Sequence, residues 1–234
     1  MTIKTKLRTF YILYLFLIHP PGAHSQSTSP DPALTNSLGN NFRLYTGAEY
    51  VRNGLRATGY PFFQSDSTLI GSLFYDGASY DNVPLQYDLV TDEVFIYDNI
   101  NNVSISLVKD KLPRFTIGGH SFIRIKSDSA SGFGDNKFYE VLHDGVYPLY
   151  ARYDKKLVFP TNREDVLKYT SSNFYYLKIK DQYIHIDGQR ALLHALDDKK
   201  DELKKYIRQN KPDFKHDPGH AYYMVLHYYT QLKH

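Results

Sequence analysis

The 234-residue chain contains no cysteine and no tryptophan. Without cysteine it can form no disulfide, no thiolate nucleophile, no cysteine-ligated zinc site and no lipid-anchored N-terminal cysteine. Long apolar runs are also scarce, since none after residue 25 approaches the roughly 18 residues that a membrane-spanning helix needs. Aromatic residues are nevertheless abundant, with 22 tyrosines and 14 phenylalanines. Tyrosines could stack on sugar rings, but the absence of tryptophan favours a structural role for them in half-buried strands.

The first 25 residues have the pattern of a secretory signal peptide. Three basic residues lie within positions 4–8, and residues 10–18 (FYILYLFLI) are apolar. Pro-Pro-Gly then breaks the helix before the small-x-small sequence AHS, so cleavage is expected near Ser25/Gln26. Nine apolar residues are too few to span a bilayer. We therefore expect an exported protein, either periplasmic or secreted.

Removal of that segment changes the charge of the protein. The full chain has 28 basic and 25 acidic residues, and residues 1–25 hold three of the basic ones and no acidic one. The remaining chain is therefore neutral, with 25 residues of each sign. Its charge gives no reason to expect nucleic acid or an anionic membrane as a partner. The expected partner is a protein or small ligand of the cell envelope, and no cofactor is expected.

The rest of the chain predicts a short leader followed by one domain. Residues 26–41 (QSTSPDPALTNSLGNN) are polar and read as a flexible leader, and residues 42–234 are long enough to form a single domain. Within 42–188, runs of strand length alternate with turn residues, including Asp144-Gly145, which favours a hairpin. This spacing favours an antiparallel sheet or sandwich of about eight to ten strands. The predicted strands are Leu69–Tyr75, Leu85–Val90, Val94–Tyr97, Val103–Leu107, Ser121–Lys126, Phe138–Leu142, Val146–Tyr153, Phe174–Ile179 and Tyr183–Ile186.

Near residue 190 the apolar period changes from that of a strand to that of a helix. Residues 189–234 are expected to form a C-terminal pair of α-helices, the second starting with Asp217 as N-cap and Pro218 in the first turn. The fold class is therefore α+β and dominated by β-structure. The apolar stripe of the first helix, which should run to about residue 209, is Leu192, Leu196, Leu203 and Ile207.

No catalytic residue can be assigned, and His120 is the first of three weak candidates. It follows two glycines that are expected to bend the chain, and its neighbour Ser121 cannot be its partner because adjacent strand residues point to opposite faces. The other two candidates, Asp76 and Asp88, lie in a 23-residue stretch that also holds Asp residues 81, 92 and 98. These aspartates sit at or beside turns, where Asp is locally favoured. A structural role in the turns is therefore favoured over paired-carboxylate catalysis.

No metal site can be assigned either. His220 and His227 share one face of the last predicted helix with Met224. Two imidazoles two turns apart cannot hold one ion without a ligand from elsewhere, and no Glu lies between them as it does in the HExxH motif. The two histidines remain weak candidates.

Five sequence segments, taken in their order along the chain, resemble a family of uncharacterised exported proteins of Bacteroidota. They are LYTGAEY (44–50), GSLFYDGASYDNVPLQYDLVTDEV (71–94), GHSFIRI (119–125), FYEVLHDGVYPLYARYDKK (138–156) and LLHALDDKKDELKKYIRQNKPDF (192–214). The resemblance implies a Gram-negative envelope and carries over no catalytic or binding residue.

Three functions are compatible with these observations. The first is a non-catalytic binding or interaction module of the envelope, which predicts exposed tyrosine or phenylalanine. The second is a hydrolase of envelope or extracellular polymers, which predicts His120 within hydrogen-bond reach of one of the aspartates in a cleft. The third is a periplasmic assembly factor that holds an apolar client, which predicts an unfilled apolar cavity.

Overall fold

The computed structural model describes residues 41–52, 54–98, 101–126, 133–159 and 166–233. The predicted signal peptide and all but the last residue of the predicted leader lie outside these ranges. Three 3-10 turns cover Asn41–Thr46, Lys109–Lys111 and Asp197–Lys199. The strands are β1 Ala57–Thr58, β2 Leu69–Tyr75, β3 Ala78–Asp88, β4 Glu93–Asp98, β5 Val103–Ser106, β6 Arg114–Ile117, β7 His120–Ile125, β8 Lys137–His143, β9 Leu149–Val158, β10 Leu167–Ile179 and β11 Gln182–Ile186; the α-helices are α1 Gln189–Ala195, α2 Lys200–Asn210 and α3 Pro218–Leu232.

The strands form one large, mostly antiparallel sheet, followed by the helices, which confirms the predicted fold class. Its order is β1-β10-β9-β8-β7-β6-β2-β3-β4-β5, and β11 pairs with β10 on the side opposite β9, beyond the short β1. Among the described strands, only the two-residue β1 runs parallel to its neighbour. Strands that follow each other in sequence are mostly neighbours in the sheet, as short hairpin connections require.

Most strands coincide with predicted runs, and β2 has the predicted bounds. The predictions missed β1, β6 and the first half of β3, which contains Pro84. A proline has no N–H to donate to a neighbouring strand, so prolines are rare in strands that are paired on both sides. Pro84 is tolerated because it faces Ile70 of β2, while the pairing of β3 with β4 begins only at Leu85.

The sheet curls so that the end of β3 approaches β9. The backbone N–H of Lys155 on β9 donates to the carbonyl of Leu89 over 3.1 Å. The Lys155 ammonium donates to the carbonyls of Tyr60 (3.0 Å) and Phe62 (2.6 Å), in a segment that also bridges to Asp88. This curl creates an inner face. Its first apolar cluster includes Phe63, Tyr87, Phe115, Phe122 and Phe138, whose rings pack mainly edge to face at centroid distances of 4.9 to 6.5 Å.

A second apolar cluster joins the inner face of β9, β10 and β11 to the helices. From the sheet it contains Leu149, Ala151, Leu177 and Ile186, and from the helices it contains residues such as Leu203. All four leucine and isoleucine residues of the predicted helical stripe are buried. No helix in the described part of the chain is long and apolar enough to cross a membrane.

The first predicted helix is in fact two helices. The backbone leaves the helical region at Leu196 (φ −112°, ψ 42°), and the 3-10 turn that follows separates α1 from α2. The carboxylate of Asp198 in this turn accepts hydrogen bonds from Tyr229 (2.9 Å) and Lys233 (2.6 Å) of the last helical segment. These long-range bonds hold the turn against α3, which periodicity within the segment could not indicate. The start of α3 is as predicted, because Asp217 accepts from the N–H of His220 and Pro218 lies in the first turn.

Candidate functional site

Four neighbouring strands place one row of residues on the inner face. Phe122 of β7 pairs with Glu140 of β8, which pairs with Ala151 of β9, which pairs with Tyr175 of β10. Directly paired residues project to the same face of a sheet. Residues two positions away on each strand share that face. His120, Leu142, Tyr153 and Asn173 therefore project to the same side as Glu140.

The carboxylate of Glu140 joins two of these side chains. His120 Nδ1 lies 2.5 Å from Glu140 Oε1, and the Tyr153 hydroxyl donates to Glu140 Oε2 over 2.5 Å. On its other side, His120 Nε2 lies 2.6 Å from the side-chain nitrogen of Gln64. In the tautomer that donates through Nδ1 and accepts through Nε2, His120 pairs a donor with an acceptor in both contacts.

The environment keeps Tyr153 protonated. Burial raises the pKa of its phenol far above the usual range, and the adjacent Glu140 carboxylate adds to the shift. The Glu140 side chain is only 7% exposed, whereas that of His120 is 34% exposed. A buried carboxylate is costly unless its oxygens receive hydrogen bonds, and both oxygens of Glu140 do.

A glycine turn positions His120. Gly118 and Gly119 connect β6 to β7 with φ angles of +56° and +86°, in the left-handed region that glycine adopts without strain. Ile117 and His120 pair directly across this turn. The two-residue hairpin therefore sets His120 at the first position of β7, and the predicted bend at the glycines is confirmed.

A cleft of about 500 Å³ lies where the N-terminal end of α3 meets this inner face. We call it the His120–Tyr223 cleft. A volume of this size is within the range of small-molecule sites. Its lining consists of His120, Glu140, Leu142, Tyr153, Asn173, Tyr175, His216, Asp217, Pro218, Gly219, His220 and Tyr223.

The start of α3 packs tightly on the sheet at Gly219. A Cβ atom at this position would lie 3.4 Å from a ring carbon of Tyr175 and 3.5 Å from a methyl carbon of Leu142. Burial raises the pKa of Tyr175, and hydrogen bonds from Asn173 and the Gly219 backbone oppose that shift. The small residue thus allows the helix to approach the sheet and complete the cleft.

Tyr223 projects from α3 at the rim of the cleft and is 38% exposed. Its ring lies near three imidazoles, at centroid distances of 6.3 Å from His220, 5.8 Å from His227 and 5.9 Å from His143. His143 and His227 line a separate cleft beyond Tyr223. Burial, and secondarily the charge of His227, lowers the pKa of His143.

The structure separates the catalytic candidates. His120 lies in the His120–Tyr223 cleft, but its acidic partner is Glu140 rather than one of the aspartates. Asp76 lies at the β2–β3 turn and pairs with Lys111 over 3.1 Å. Asp88 lines a different cleft, where it accepts a hydrogen bond from Tyr50 over 2.6 Å. Asp81 lines another cleft, and Asp92 and Asp98 accept hydrogen bonds from Tyr87 and Asn101, so these aspartates form no catalytic group with His120.

The histidines on α3 are also separated. His220 lines the His120–Tyr223 cleft, whereas His227 lines the cleft beyond Tyr223 and lies 3.1 Å from the Gln231 amide. Within the described residues, no group of three or more His, Asp or Glu side chains has a geometry that could hold a metal ion.

Sequence reasoning missed Glu140, Tyr153 and Asn173. One signal for Glu140 was present, since it occupies an inward position between Phe138 and Leu142 on an otherwise apolar face. An acid at such a position needs buried partners. No comparable signal exists for Tyr153 or Asn173, because their role depends on the pairing of β8, β9 and β10.

The opposite face of the same strands carries another aromatic group, which we call the outer tyrosine cluster. It consists of Phe133, Tyr139, Tyr176 and Tyr183. The rings of Phe133 and Tyr183 stack on each other with centroids 3.9 Å apart. These rings cover one another's faces, in contrast to the rim position of Tyr223.

The His120–Tyr223 cleft therefore offers aromatic and imidazole rings, one side-chain amide and two carboxylates. Rings can stack on a ligand, and the polar groups can orient it through hydrogen bonds. A carboxylate-bound imidazole can also transfer protons if a substrate reaches it. Comparisons of the chain with protein-family models, with curated proteins and with solved structures find no match.

Proposed function

We propose that this chain is an exported, non-catalytic binding module of the cell envelope, and that its ligand site is the His120–Tyr223 cleft. The proposal combines the N-terminal sequence pattern with one structural observation. Three acid–base groups on the sheet side of the cleft are engaged with each other and with Gln64: Glu140 accepts from Tyr153 and contacts His120, and His120 contacts Gln64. This network stiffens the floor of the cleft and leaves rings and an amide to contact a ligand.

A tryptophan reporter can test this proposal because the chain has no tryptophan of its own. Tyr223→Trp places a single emitter at the rim of the cleft. Tyr45→Trp is the matched control, since Tyr45 is similarly exposed (41%) and does not line the cleft. The probes are a chemically diverse set of sugars, amino acids, nucleotides and amines.

Saturable changes in emission should occur with Tyr223→Trp and not with Tyr45→Trp for at least one class of probe. Equal responses of the two reporters, or no saturable response of Tyr223→Trp to any class, would contradict a ligand site in this cleft.

A hydrolase is the second candidate, favoured by the 2.5 Å contact between His120 and Glu140. A carboxylate that orients an imidazole is a common arrangement for general base catalysis. Reducing ends released from envelope polysaccharides and peptidoglycan can be measured after incubation with the protein. This measurement distinguishes the hydrolase from the non-catalytic binding module. Release that depends on His120 and is lost in His120→Gln supports the hydrolase and contradicts the non-catalytic proposal. The assembly-factor hypothesis gains no specific support from the polar lining of the cleft and stays a prediction.

A further inference from the structure

We infer that the His120–Tyr223 cleft takes a neutral polyhydroxylated ring, that is, a neutral mono- or disaccharide. This inference rests on the proposed binding function and adds the chemical class of the ligand. It follows from the charge of the lining, from the placement of one exposed ring and from the hydrogen-bonding groups around that ring.

The charge of the lining disfavours anionic ligands. Glu140 and Asp217 contribute two carboxylates. The basic side chains among the described residues that line the cleft are the imidazoles of His120, His216 and His220, with no permanently charged lysine or arginine. Like charges a few ångströms apart repel more strongly at a partly buried site than in water, because the effective dielectric constant is lower. Phosphorylated, sulfated and uronic-acid ligands are therefore disfavoured.

The apolar part of the lining is too small for a lipid-like ligand. Leu142 and Pro218 are the aliphatic side chains among its described members, and the remaining side chains carry rings or polar atoms. Sites for purely apolar ligands are lined mainly by hydrophobic side chains. A suitable ligand must therefore present both C–H surface and many hydrogen-bonding groups, as a sugar ring does.

Tyr223 supplies a ring surface at the entrance. Most tyrosines of the sheet are buried or half-buried, as their structural role predicts. Tyr223, which lies on α3, is 38% exposed. The nearly parallel rings of His220 and His227 are offset from it, with centroids 6.3 and 5.8 Å away, in contrast to the 3.9 Å stack of Phe133 on Tyr183. The C–H face of a pyranose can pack on such a surface while its hydroxyl groups point to water or to the cleft floor.

The polar groups of the cleft can bind hydroxyl groups both as hydrogen-bond donors and as hydrogen-bond acceptors. The Asn173 amide is on an exposed residue of β10 and can donate and accept. His220 in the lining adds an imidazole that can also donate and accept, whereas both ring nitrogens of His120 already contact Glu140 and Gln64. Sugar hydroxyls are donors and acceptors at once, so a lining of amide, imidazole and phenol groups suits them better than a lining of like charges.

The outer tyrosine cluster is the competing location and fits a sugar less well. Its rings stack on each other, as Phe133 and Tyr183 do, and cover the surfaces that a sugar would need. Arg152 beside it is already paired with Asp135 and Asp154. We therefore place the sugar in the cleft.

Calorimetric titration of the full chain after removal of its signal peptide tests the inference. The probes are glucose, galactose, mannose, N-acetylglucosamine and their disaccharides, each compared with glucuronate, galacturonate and glucose 6-phosphate. At least one neutral sugar should bind, and its anionic counterpart should bind at least about tenfold more weakly.

Variants locate the binding. Tyr223→Ala and Asn173→Ala should each weaken binding of the neutral sugar by about tenfold or more, whereas the matched control Tyr45→Ala should leave it unchanged. Circular dichroism confirms that each variant is folded before it is titrated.

The outcomes distinguish this inference from the proposed function. If an anionic sugar binds as well as its neutral counterpart, or if no neutral sugar binds at millimolar concentration while Tyr223→Trp reports another class of ligand, the sugar inference is overturned and the binding cleft stands. If neither titration nor the Tyr223→Trp reporter detects any ligand, both are overturned.

Discussion

The imidazole of His120 and the carboxylate of Glu140 lie 2.5 Å apart although 20 residues separate them in the sequence. They meet because β7 and β8 are neighbours and both side chains project to the inner face of the curled sheet. The Tyr153 hydroxyl occupies the second oxygen of Glu140, so the buried carboxylate is fully engaged.

Removing the carboxylate should destabilise the protein. Glu140→Ala leaves the Tyr153 hydroxyl and a ring N–H of His120 without their partner, and we expect the free energy of unfolding to fall by about 3 kcal/mol. Glu140→Gln, which keeps the volume and one acceptor, should cost about 1 kcal/mol. Urea denaturation measures both. Asp201→Asn is the control, since its carboxylate is 93% exposed; equal stability of Glu140→Ala and this control would refute the structural role of the network.

The side chain of Lys155 should hold the chain segment 60–63 against β9 through its hydrogen bonds. In Lys155→Met the carbonyls of Tyr60 and Phe62 lose their donor, so we expect a loss of about 2 kcal/mol and faster proteolytic cleavage in this segment. Lys156→Met is the matched control because the adjacent, exposed lysine projects to the other face. Indistinguishable cleavage of the two variants would show that the segment is held by other contacts.

Sequence periodicity was sufficient for much of the sheet but not for the site. The β2 run LIGSLFY and the start of α3 at Asp217-Pro218 carry local signals, namely alternation and helix capping, and both formed as predicted. The break between α1 and α2 depends on Asp198 bonding to residues more than 30 positions away. The partner of His120 likewise depends on strand order and register, which composition and periodicity do not determine.

The protein should lose stability above about pH 10, where exposed tyrosines ionise. Burial raises the pKa of many of its tyrosines, among them Tyr87, Tyr139 and Tyr153, and raises that of Tyr222 to about 12. The folded state therefore retains protons that the unfolded state releases, so stability falls as the pH rises beyond the unfolded value. Exposed tyrosines should ionise gradually near pH 10, and the tyrosinate absorbance of the buried phenols should appear only together with the loss of the folded circular dichroism signal. Ionisation of all the tyrosines near pH 10 without unfolding would contradict this burial.

The contribution of Asp92 to the free energy of unfolding should fall as the pH rises from the acid range. Burial raises the pKa of its carboxyl, although hydrogen bonds from Lys109 and Tyr87 oppose the shift. The folded state therefore binds the Asp92 proton more tightly than the unfolded state, and its contribution is greatest below about pH 3.9 and falls as the pH rises through the folded value.

Asp92→Asn tests that dependence, because the amide still accepts from Tyr87 and cannot ionise. The difference in unfolding free energy between the parent protein and Asp92→Asn, measured across this pH range, should shift in favour of the variant as the pH rises. A difference that is constant with pH, or that moves the other way, would contradict the raised pKa.

Amide chemical-shift mapping shows whether a ligand binds in the His120–Tyr223 cleft. The ¹⁵N-labelled protein is titrated to saturation with the tightest-binding neutral sugar of the panel. The largest shift changes should occur at His120, Glu140, Asn173 and residues 219–223. Changes concentrated instead at Tyr139, Tyr176 and Tyr183 of the outer tyrosine cluster, or the absence of saturable changes, would contradict binding in the His120–Tyr223 cleft.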